Sequence, residues 1–227
     1  MNNSSIFTLD RKGNSFDLEN YPKDLYVDTS VWNIIYGSGN SYNYSLLKDF
    51  MGECVNAGST FYSSAIVHEE LSHIIRSEIL ELEEKQLRKT KLKNIQVPRY
   101  PDGKINRKAM DMLILENSPN ITSTINSAID KALDFVDNVS EFLPYEETRE
   151  ITRVMNKIMS DSNYQLDTRD IKHTLAAHEY GFNSILTCDG DYAIFDHLNV
   201  YVPPSEKYAK LKIGRSNVYL PFDKDKY

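Results

Sequence analysis

The sequence predicts an α/β protein that combines a mostly parallel β-sheet with an all-helical insertion. Short apolar runs alternate with helical patterns near the start of the chain, and the same alternation returns near its end, which predicts the sheet. Residues 76–160, between these two blocks, show only helical periodicity and predict the insertion. With 227 residues, 41% of them hydrophobic, the chain can bury a substantial core. We therefore expect a single domain over residues 1–227 that contains a helical insertion.

The first block predicts two strands and two helices. A buried strand is predicted at residues 24–29, DLYVDT, and a helix around residues 44–56 follows a loop rich in Gly, Asn and Ser. A second strand is predicted at residues 59–64, and another helix follows it at once. Its pattern continues to Asn94, well beyond an ordinary globular helix, before the stretch PRYPDG breaks it.

The insertion and the last block are read from the same patterns. Helical periodicity in the insertion covers three segments, 107–115, 121–142 and 146–159. A further helix is predicted over residues 167–180, with Asp167 or Thr168 as its N-cap. Two more strands are predicted after it, NSILT at residues 183–187 and then NVYVP.

The stretch HEELSH, near the start of the helix after the second strand, suggests a zinc protease, but its spacing excludes one. The H-E-x-x-H motif works because residues four apart share a helix face and bind one metal together. His68 and His73 are five apart, roughly 140° around a helix, and we expect both at the surface. Glu70 borders the apolar stripe of this helix, whereas Glu69 points the opposite way. A carboxylate turned inward is costly unless it is paired, protonated or bound to a cation.

More carboxylates lie near the carboxyl ends of the predicted strands. Asp28 closes the first strand, Asp189 and Asp191 follow the third, and Asp170 lies in the first turn of the helix before it. Each has a local explanation as a turn or cap residue, but the carboxyl ends of parallel strands share one edge of a sheet. Clustered carboxylates raise one another's pKa unless a cation is present. Together with Glu70, these acids predict a divalent-metal site.

The chemistry of the predicted ligands indicates the metal and the reaction. All of the ligands are oxygens, which suits Mg²⁺ or Mn²⁺ rather than zinc. Such ions bind phosphate oxygens and promote the attack of water on phosphodiesters. The residues therefore predict a metal-dependent nuclease.

In the order and spacing of these motifs, the sequence resembles the PIN-domain ribonucleases. A hydrophobic strand is followed by D-T-S at Asp28, and SAIVHEEL is similar to the family's S-A-I-x-x-x-E-L, which selects Glu70. The motif DIKHTLAAHEYG begins at Asp170, and ILTCDGDY is similar to the family's L-x-T-x-D-x-D-[FY]. The resemblance covers residues 25–71 and 166–202.

The resemblance implies a three-layer α/β/α fold and a metal-dependent endoribonuclease. The implied catalytic and metal-binding residues are Asp28, Glu70, Asp170 and Asp189. It also implies Asp191 as a further metal ligand, and Ser30 and Thr187 as hydroxyls near the metal. Small members of the family are often toxins held by a cognate antitoxin, so a toxin, a defence effector and an RNA-processing enzyme are all open.

The insertion, which a minimal PIN domain does not need, carries a concentration of positive charge. Between Lys85 and Lys108 lie nine basic residues and one acid, Asp102, in a chain whose net charge is −7. Such a run is as typical of a solvated helix face as of an RNA-gripping arm. An antitoxin-binding surface and a homodimer interface are also open. The candidate RNA-binding residues are Lys89, Lys91, Lys93, Arg107 and Lys108.

Two rival functions stay open. A haloacid-dehalogenase-like phosphatase also has an aspartate after its first strand, and Gly190 and Asp191 with Asp196 are similar to its late motif. However, Ser30 stands where that family needs a second acid for general acid catalysis. The other rival is a catalytically inactive PIN scaffold that binds RNA or a partner.

Composition leads to an expectation about the cellular compartment. The first residues contain no apolar signal-peptide region and no later run has the length of a membrane span, so we expect a cytoplasmic protein without a membrane association. Cys54 and Cys188 are too few for a disulfide framework. We expect both as reduced core thiols.

Overall fold

The computed structural model describes residues 6–9, 21–37, 42–93, 95–162, 166–195 and 198–203. The strands are β1 (Ile6–Thr8), β2 (Asp24–Val27), β3 (Thr60–Ser64), β4 (Glu141–Leu143), β5 (Ser184–Leu186) and β6 (Asn199–Val202). The helices are α1 (Thr29–Gly37), α2 (Tyr42–Asn56), α3 (Ala65–Leu87), α4 (Arg107–Asn117), α5 (Ile121–Val139), α6 (Arg149–Asp161), α7 (Thr168–Glu179) and a 3₁₀ helix (Gly190–Ile194). Among the described residues, no helix combines the length and the apolar character that crossing a bilayer requires.

The six strands form one sheet in which every pair is parallel. Their order is β1-β6-β5-β2-β3-β4. Leu25, Tyr26 and Val27 in β2 and Ile185 and Leu186 in β5 are all 0% exposed. Strands buried on both faces are typical of parallel sheets that are covered by helices on both sides. The predicted α/β class is confirmed, and the sheet is consistent with a three-layer α/β/α arrangement.

The order of the strands reverses between β2 and β5. From β2 the chain moves outward through β3 to β4, and β5 then returns to the other side of β2. The two strands pair Tyr26 with Ile185 and Val27 with Leu186, and the Asp28 N–H donates to the Leu186 carbonyl at 2.9 Å. In open parallel sheets, ligands bind in the crevice beyond the carboxyl ends of the strands at such a reversal. The fold therefore places Asp28 where a site is expected.

Neither α1 nor β1 is predicted from the sequence pattern. The sequence of α1, TSVWNIIYG, is rich in β-branched and aromatic residues, which have weak helix propensity. Tertiary contacts compensate, because Trp32 is fully buried and its Nε1–H donates to the Val27 carbonyl at 3.1 Å. The backbone N–H groups of Val31 and Trp32 donate to the Asp28 carbonyl at 3.0 and 3.3 Å. Helix α1 thus starts immediately after Asp28 and fixes its backbone.

The chain divides into two compact units. The first contains the described residues up to His68 and those from Val136 onward, and the second is Glu69–Phe135. The second unit has a hydrophobic core of its own, formed by Leu80, Leu87, Leu92, Met110, Ile114, Ile121 and Ile125. This unit is shorter than the predicted insertion, since α6 and β4 belong to the first unit.

The predicted insertion is not entirely helical. Strand β4 pairs in parallel with β3, with Tyr62 opposite Glu141 and Ser64 opposite Leu143. The sequence prediction of helix through Phe142 is therefore wrong at these residues, and α5 ends at Val139. Three residues are too few to show an alternating pattern, so the strand cannot be distinguished from the end of the helix before it.

Helix α3 ends at Leu87 and does not continue to Asn94 as predicted. The backbone N–H groups of Thr90 and Leu92 both donate to the Leu87 carbonyl, at 3.0 and 2.8 Å. This turn buries Leu92, which is 2% exposed, in the core of the second unit. The periodicity of the lysine-rich sequence predicts a longer helix, but the helix ends where Leu92 can pack into this core.

We expect Leu92→Ala to destabilise the protein by about 2–5 kcal/mol, because it leaves a cavity in the core of the second unit. Leu82→Ala is the matched control, since Leu82 is 59% exposed, and we expect it to change stability by no more than about 0.5 kcal/mol. Urea unfolding of the full chain measures both. Equal effects would contradict the turn that ends α3.

Candidate metal centre

Asp28 is the most deeply buried carboxylate of the predicted site, at 5% exposure directly after β2. Its Oδ2 accepts hydrogen bonds from Ser30 Oγ at 2.5 Å and from Thr187 Oγ1 at 2.8 Å. Its Oδ1 lies 3.4 Å from the Tyr192 hydroxyl and 3.5 Å from His173 Nε2. The carboxylate is therefore held in one orientation by contacts to both oxygens.

The two predicted hydroxyls connect Asp28 to the segment after β5. Ser30 Oγ accepts the Cys188 N–H at 3.1 Å, and Thr187 Oγ1 accepts the Asp189 N–H at 2.9 Å. Both hydroxyls donate to the same oxygen of Asp28. Ser30 and Thr187 thus orient Asp28 relative to Asp189.

A second group of carboxylates lies beside Asp28. Asp170, Asp189 and Asp191 each offer an oxygen within 4.8 Å of the others, and all three side chains are half-buried. Asp170 lies in the first turn of α7, after the N-cap Asp167, which confirms one of the two predicted caps. Asp189 caps the 3₁₀ helix, and its Oδ1 accepts the Asp191 N–H at 3.0 Å. Two elements well separated in the sequence bring these three predicted ligands together.

The electrostatics of the cluster act most strongly on Asp170. Burial, followed by the charges of Asp189, Asp28 and Asp167, raises the pKa of Asp170 from its ordinary value of 3.8 to about 7, while the charge of His173 opposes this rise. A carboxylate in this position is stabilised either by a proton or by a cation. Asp28 is one of the causes of this raised pKa, as expected for a carboxylate that lies near Asp170.

The donor set fits Mg²⁺ or Mn²⁺. Both ions take carboxylate oxygens as ligands, and Mg²⁺ in protein sites usually keeps several waters. The half-buried carboxylates of Asp170, Asp189 and Asp191 leave access to solvent for such waters. Asp28, whose carboxylate is held in one orientation, could offer a further oxygen from the buried side.

A buried polar network beside Asp28 is absent from the sequence analysis. His173 is 1% exposed, and its Nδ1 lies 2.8 Å from the Tyr26 hydroxyl, which in turn lies 2.7 Å from Ser64 Oγ. One signal was present in the sequence, because His173 is three residues after Asp170 and thus on the same face of α7. The contacts to Tyr26 and Ser64 had no such signal.

Glu70 lies in the second turn of α3, which begins directly after β3, and it belongs to the second compact unit. The predicted helix faces are confirmed, since Glu70 is half-buried and Glu69 is exposed. His73 is also exposed, and His68 Nε2 pairs with Asp137 Oδ1 at 3.0 Å. His73 therefore has the surface position expected of it, whereas His68 is half-buried.

The basic run lies within the second unit and is only partly helical. The five candidate RNA-binding residues are all exposed: Lys89, Lys91, Lys93, Arg107 and Lys108. The three lysines lie in the turns after α3, whereas the other two residues begin α4. Arg88 and Arg107 both pair with Glu84, at 2.8 and 3.0 Å, and Lys91 Nζ donates to the Asn117 carbonyl at 2.7 Å. One glutamate cannot neutralise two arginines, so the run keeps a positive excess.

The two cysteines are free thiols, as predicted. Burial raises the pKa of both Cys54 and Cys188 to about 12, which keeps the thiols neutral at physiological pH. Cys54 is buried, whereas Cys188 is half-buried and contacts the site through its backbone N–H. Thiolate ligation or nucleophilic catalysis has no support from either residue.

We expect the metal-free protein, kept in chelator, to lose stability as pH rises from about 4 to about 7. Over this range the unfolded chain releases the Asp170 proton while the folded chain retains it, because the folded pKa is the higher one. The loss is on the order of a few kcal/mol at most. Asp170→Asn should flatten this dependence and raise the melting temperature at neutral pH.

Asp167→Asn is the comparison variant for this measurement, because hydrogen bonds from Arg169 lower the pKa of Asp167 and give its own effect the opposite sign, and because its charge is a smaller cause of the raised Asp170 pKa than burial or the charges of Asp189 and Asp28. Thermal melts across the pH range compare the three proteins. A wild-type stability that is constant or rising between pH 4 and 7, unchanged in Asp170→Asn, would contradict the raised pKa.

Comparison with known proteins identifies no family for this chain. No protein-family model matches the sequence, and no curated protein matches it. The resemblance to the PIN-domain ribonucleases therefore stays a hypothesis that rests on the motifs and on the position of the carboxylates.

Proposed function

We propose that this chain is a PIN-like endoribonuclease that hydrolyses RNA phosphodiesters with the aid of Mg²⁺ or Mn²⁺. One observation carries the proposal: beyond the carboxyl ends of β2 and β5, where the strand order reverses, Thr187 links Asp28 to Asp189, and an oxygen of Asp189 lies within 4.8 Å of oxygens of Asp170 and Asp191. If these aspartates only stabilised separate turns and helix N-termini, they would have no reason to lie together in this crevice. Their mutual repulsion is a cost that a divalent cation removes.

The proposed roles of the carboxylates follow from their positions. Asp28, Asp170 and Asp189 hold the metal, with Asp191 as a further ligand, and Ser30 and Thr187 keep Asp28 oriented. A bound ion would supply an activated water and would offset the negative charge that develops on the phosphate. In the reaction, the water oxygen bonds to phosphorus, the bond from phosphorus to O3′ breaks, and O3′ takes up a proton.

Glu70 completes the proposed quartet on the basis of the sequence. It lies on the helix that begins at the carboxyl end of β3, and β3 is the neighbour of β2 in the sheet. Its half-buried side chain differs from that of the adjacent Glu69, which is exposed. This pair therefore provides a matched test within one helix turn.

RNA is the proposed substrate, and the exposed basic run of the second unit is its proposed binding surface. Single-stranded or looped RNA suits such a surface because unstacked nucleotides expose both phosphates and bases. A cytoplasmic location follows from this substrate. A cognate antitoxin and a second copy of the chain are the protein partners that we include in the proposal.

We expect single replacements Asp28→Asn, Glu70→Gln, Asp170→Asn and Asp189→Asn to abolish Mn²⁺-dependent cleavage of RNA while preserving the fold. Each removes a proposed metal ligand but keeps the size of the side chain. Glu69→Gln, on the exposed face, is the matched control and should retain activity. Incubation of purified variants with a structured RNA pool, with Mn²⁺ or with EDTA, measures cleavage.

The ends of the products test the nucleophile in the same experiment. Attack by water gives 5′-phosphate and 3′-hydroxyl ends, whereas attack by the ribose 2′-hydroxyl gives a cyclic phosphate and would contradict the mechanism. Hydrolysis of small phosphomonoesters without action on RNA would favour the phosphatase alternative. Asp196, which that alternative needs, lies outside the described residues. RNA binding without cleavage under all metal conditions would favour the inactive scaffold.

We expect reversal of the basic run to weaken RNA binding and to flatten its dependence on salt. The variant changes all five candidates to Glu, and each lost phosphate contact removes roughly 0.7 from the log-log slope on a single strand. The control reverses five exposed basic residues elsewhere, Lys23, Lys48, Lys131, Arg153 and Lys157, with the same change in net charge. Fluorescence anisotropy with a short RNA at several salt concentrations gives both slopes.

A four-residue variant that retains Arg107, the partner of Glu84, separates lost charge from a disturbed fold. It should show most of the same loss. Equal slopes for the basic-run variant and its control would exclude this surface as the RNA site. If the slope is unchanged but the mass in solution or a co-purifying protein changes, the run is a protein interface.

A further inference from the structure

His173 is a buried histidine in direct contact with a proposed metal ligand. It is 1% exposed, and its Nε2 lies 3.5 Å from Asp28 Oδ1. Two atoms that bind the same first-row metal ion lie about 2.0–2.2 Å from it, and hence no more than about 4.4 Å apart. Nε2 and Oδ1 meet this condition without movement of either side chain.

The other ring nitrogen of His173 has the hydrogen bond that a metal-binding histidine needs. Nδ1 lies 2.8 Å from the Tyr26 hydroxyl, which lies 2.7 Å from Ser64 Oγ. If Nε2 binds a metal, Nδ1 carries the ring proton and donates to the Tyr26 oxygen, and the Tyr26 hydroxyl donates to Ser64. Metal-binding histidines usually donate their second N–H to such a partner, which fixes the tautomer and the ring orientation.

The network is rigid because its members lie on three elements of the first unit. Tyr26 lies in β2 and is fully buried, Ser64 ends β3 and is also fully buried, and His173 lies in the middle of α7. The rings of Tyr26 and His173 also pack against each other, with centroids 5.7 Å apart. The imidazole therefore has little freedom to turn away from Asp28.

We propose that His173 Nε2 binds the metal ion directly, beside Asp28, and that this nitrogen makes the centre select Mn²⁺ over Mg²⁺. The inference rests on the metal centre of the proposed function, but it changes the donor set from oxygen alone to oxygen and nitrogen. Mn²⁺ shares with Mg²⁺ a preference for carboxylates, carbonyls and water, but as a first-row transition-metal ion it accepts an imidazole nitrogen more readily than Mg²⁺ does. A buried imidazole is thus better suited to Mn²⁺.

Electron paramagnetic resonance of bound Mn²⁺ tests the proposal without any assay of cleavage. The full chain loaded with Mn²⁺ should show hyperfine coupling to a directly bound nitrogen, and ¹⁵N-histidine labelling should shift that coupling. His173→Gln should lose the coupling, whereas His73→Gln, a change at an exposed position of α3, should retain it. Cooperative thermal melts confirm that the variants are folded.

Calorimetric titrations with Mn²⁺ and Mg²⁺ give the selectivity. Wild type should bind Mn²⁺ more tightly, and His173→Gln should lose more Mn²⁺ affinity than the about 10–100-fold that loss of a partner behind the ligand costs, with a much smaller change for Mg²⁺. Tyr26→Phe removes only the hydroxyl behind the imidazole and keeps the buried ring. It should weaken Mn²⁺ binding while retaining the nitrogen coupling, and it remains informative if the substitution at His173 does not fold.

Two results would overturn the proposal: bound Mn²⁺ without nitrogen coupling in the wild type, or coupling that survives in His173→Gln. Either result together with RNA cleavage would leave the endoribonuclease function intact and assign oxygen ligands alone. Nitrogen coupling and Mn²⁺ selectivity without RNA cleavage would support the site and refute the endoribonuclease. The two proposals can therefore fail separately.

Discussion

The parallel pairing of β2 with β5 brings together Asp28 and Thr187, which lie 159 residues apart in the sequence. The Asp28 N–H completes the ladder by donating to the Leu186 carbonyl, so Asp28 and Thr187 leave the sheet side by side. The hydrogen bond from Thr187 to Asp28 and the approach of Asp189 depend on this register. A slip of one residue would turn both side chains to the opposite face of the sheet.

Burial and charge make opposing demands at this edge of the sheet. The inner strands bury their side chains on both faces, so Asp28 enters an apolar environment where its carboxylate needs donors on both oxygens. Ser30 and Thr187 satisfy Oδ2, and His173 and Tyr192 lie beside Oδ1. The raised pKa of Asp170 shows that the nearby carboxylates are not balanced in the same way. The fold therefore stabilises the Asp28 carboxylate but leaves the charge of Asp170 uncompensated.

Sequence periodicity predicted the elements that are long or regularly patterned. The expectation that sites lie at the carboxyl ends of parallel strands directed attention to the carboxylates there. Strands β2, β3, β5 and β6 and the faces of α3 follow from apolar patterns that each element carries within itself. Strands β1 and β4 have three residues each, too few for a period, and α1 forms despite weak propensity because Trp32 is buried. The end of α3 depends on the burial of Leu92 in a core that only the folded second unit provides.

The missing part of the site has a similar explanation. Tyr26 lies 147 residues from His173 and 38 residues from Ser64 in the sequence, and their hydrogen bonds exist only once β2, β3 and α7 are packed. A tyrosine within an apolar strand gives no local sign that its hydroxyl has a polar partner. The positions of Asp28 and Asp189 were easier to predict because both residues follow strand ends, whose positions in a parallel sheet are fixed by topology.

The lengths of the two outermost strands have a consequence for aggregation. The unpaired N–H and C=O groups of an edge strand can pair with another chain and extend the sheet. Here both edges are strands of three residues, β1 and β4, and Pro144 follows β4 directly and cannot donate a hydrogen bond. Parallel sheets form slowly because they join residues that are far apart in the sequence. The strand edges of partly folded chains therefore stay exposed to other chains for longer. Within the part of the chain that the structure describes, the short outer strands give such chains little template for intermolecular β-structure.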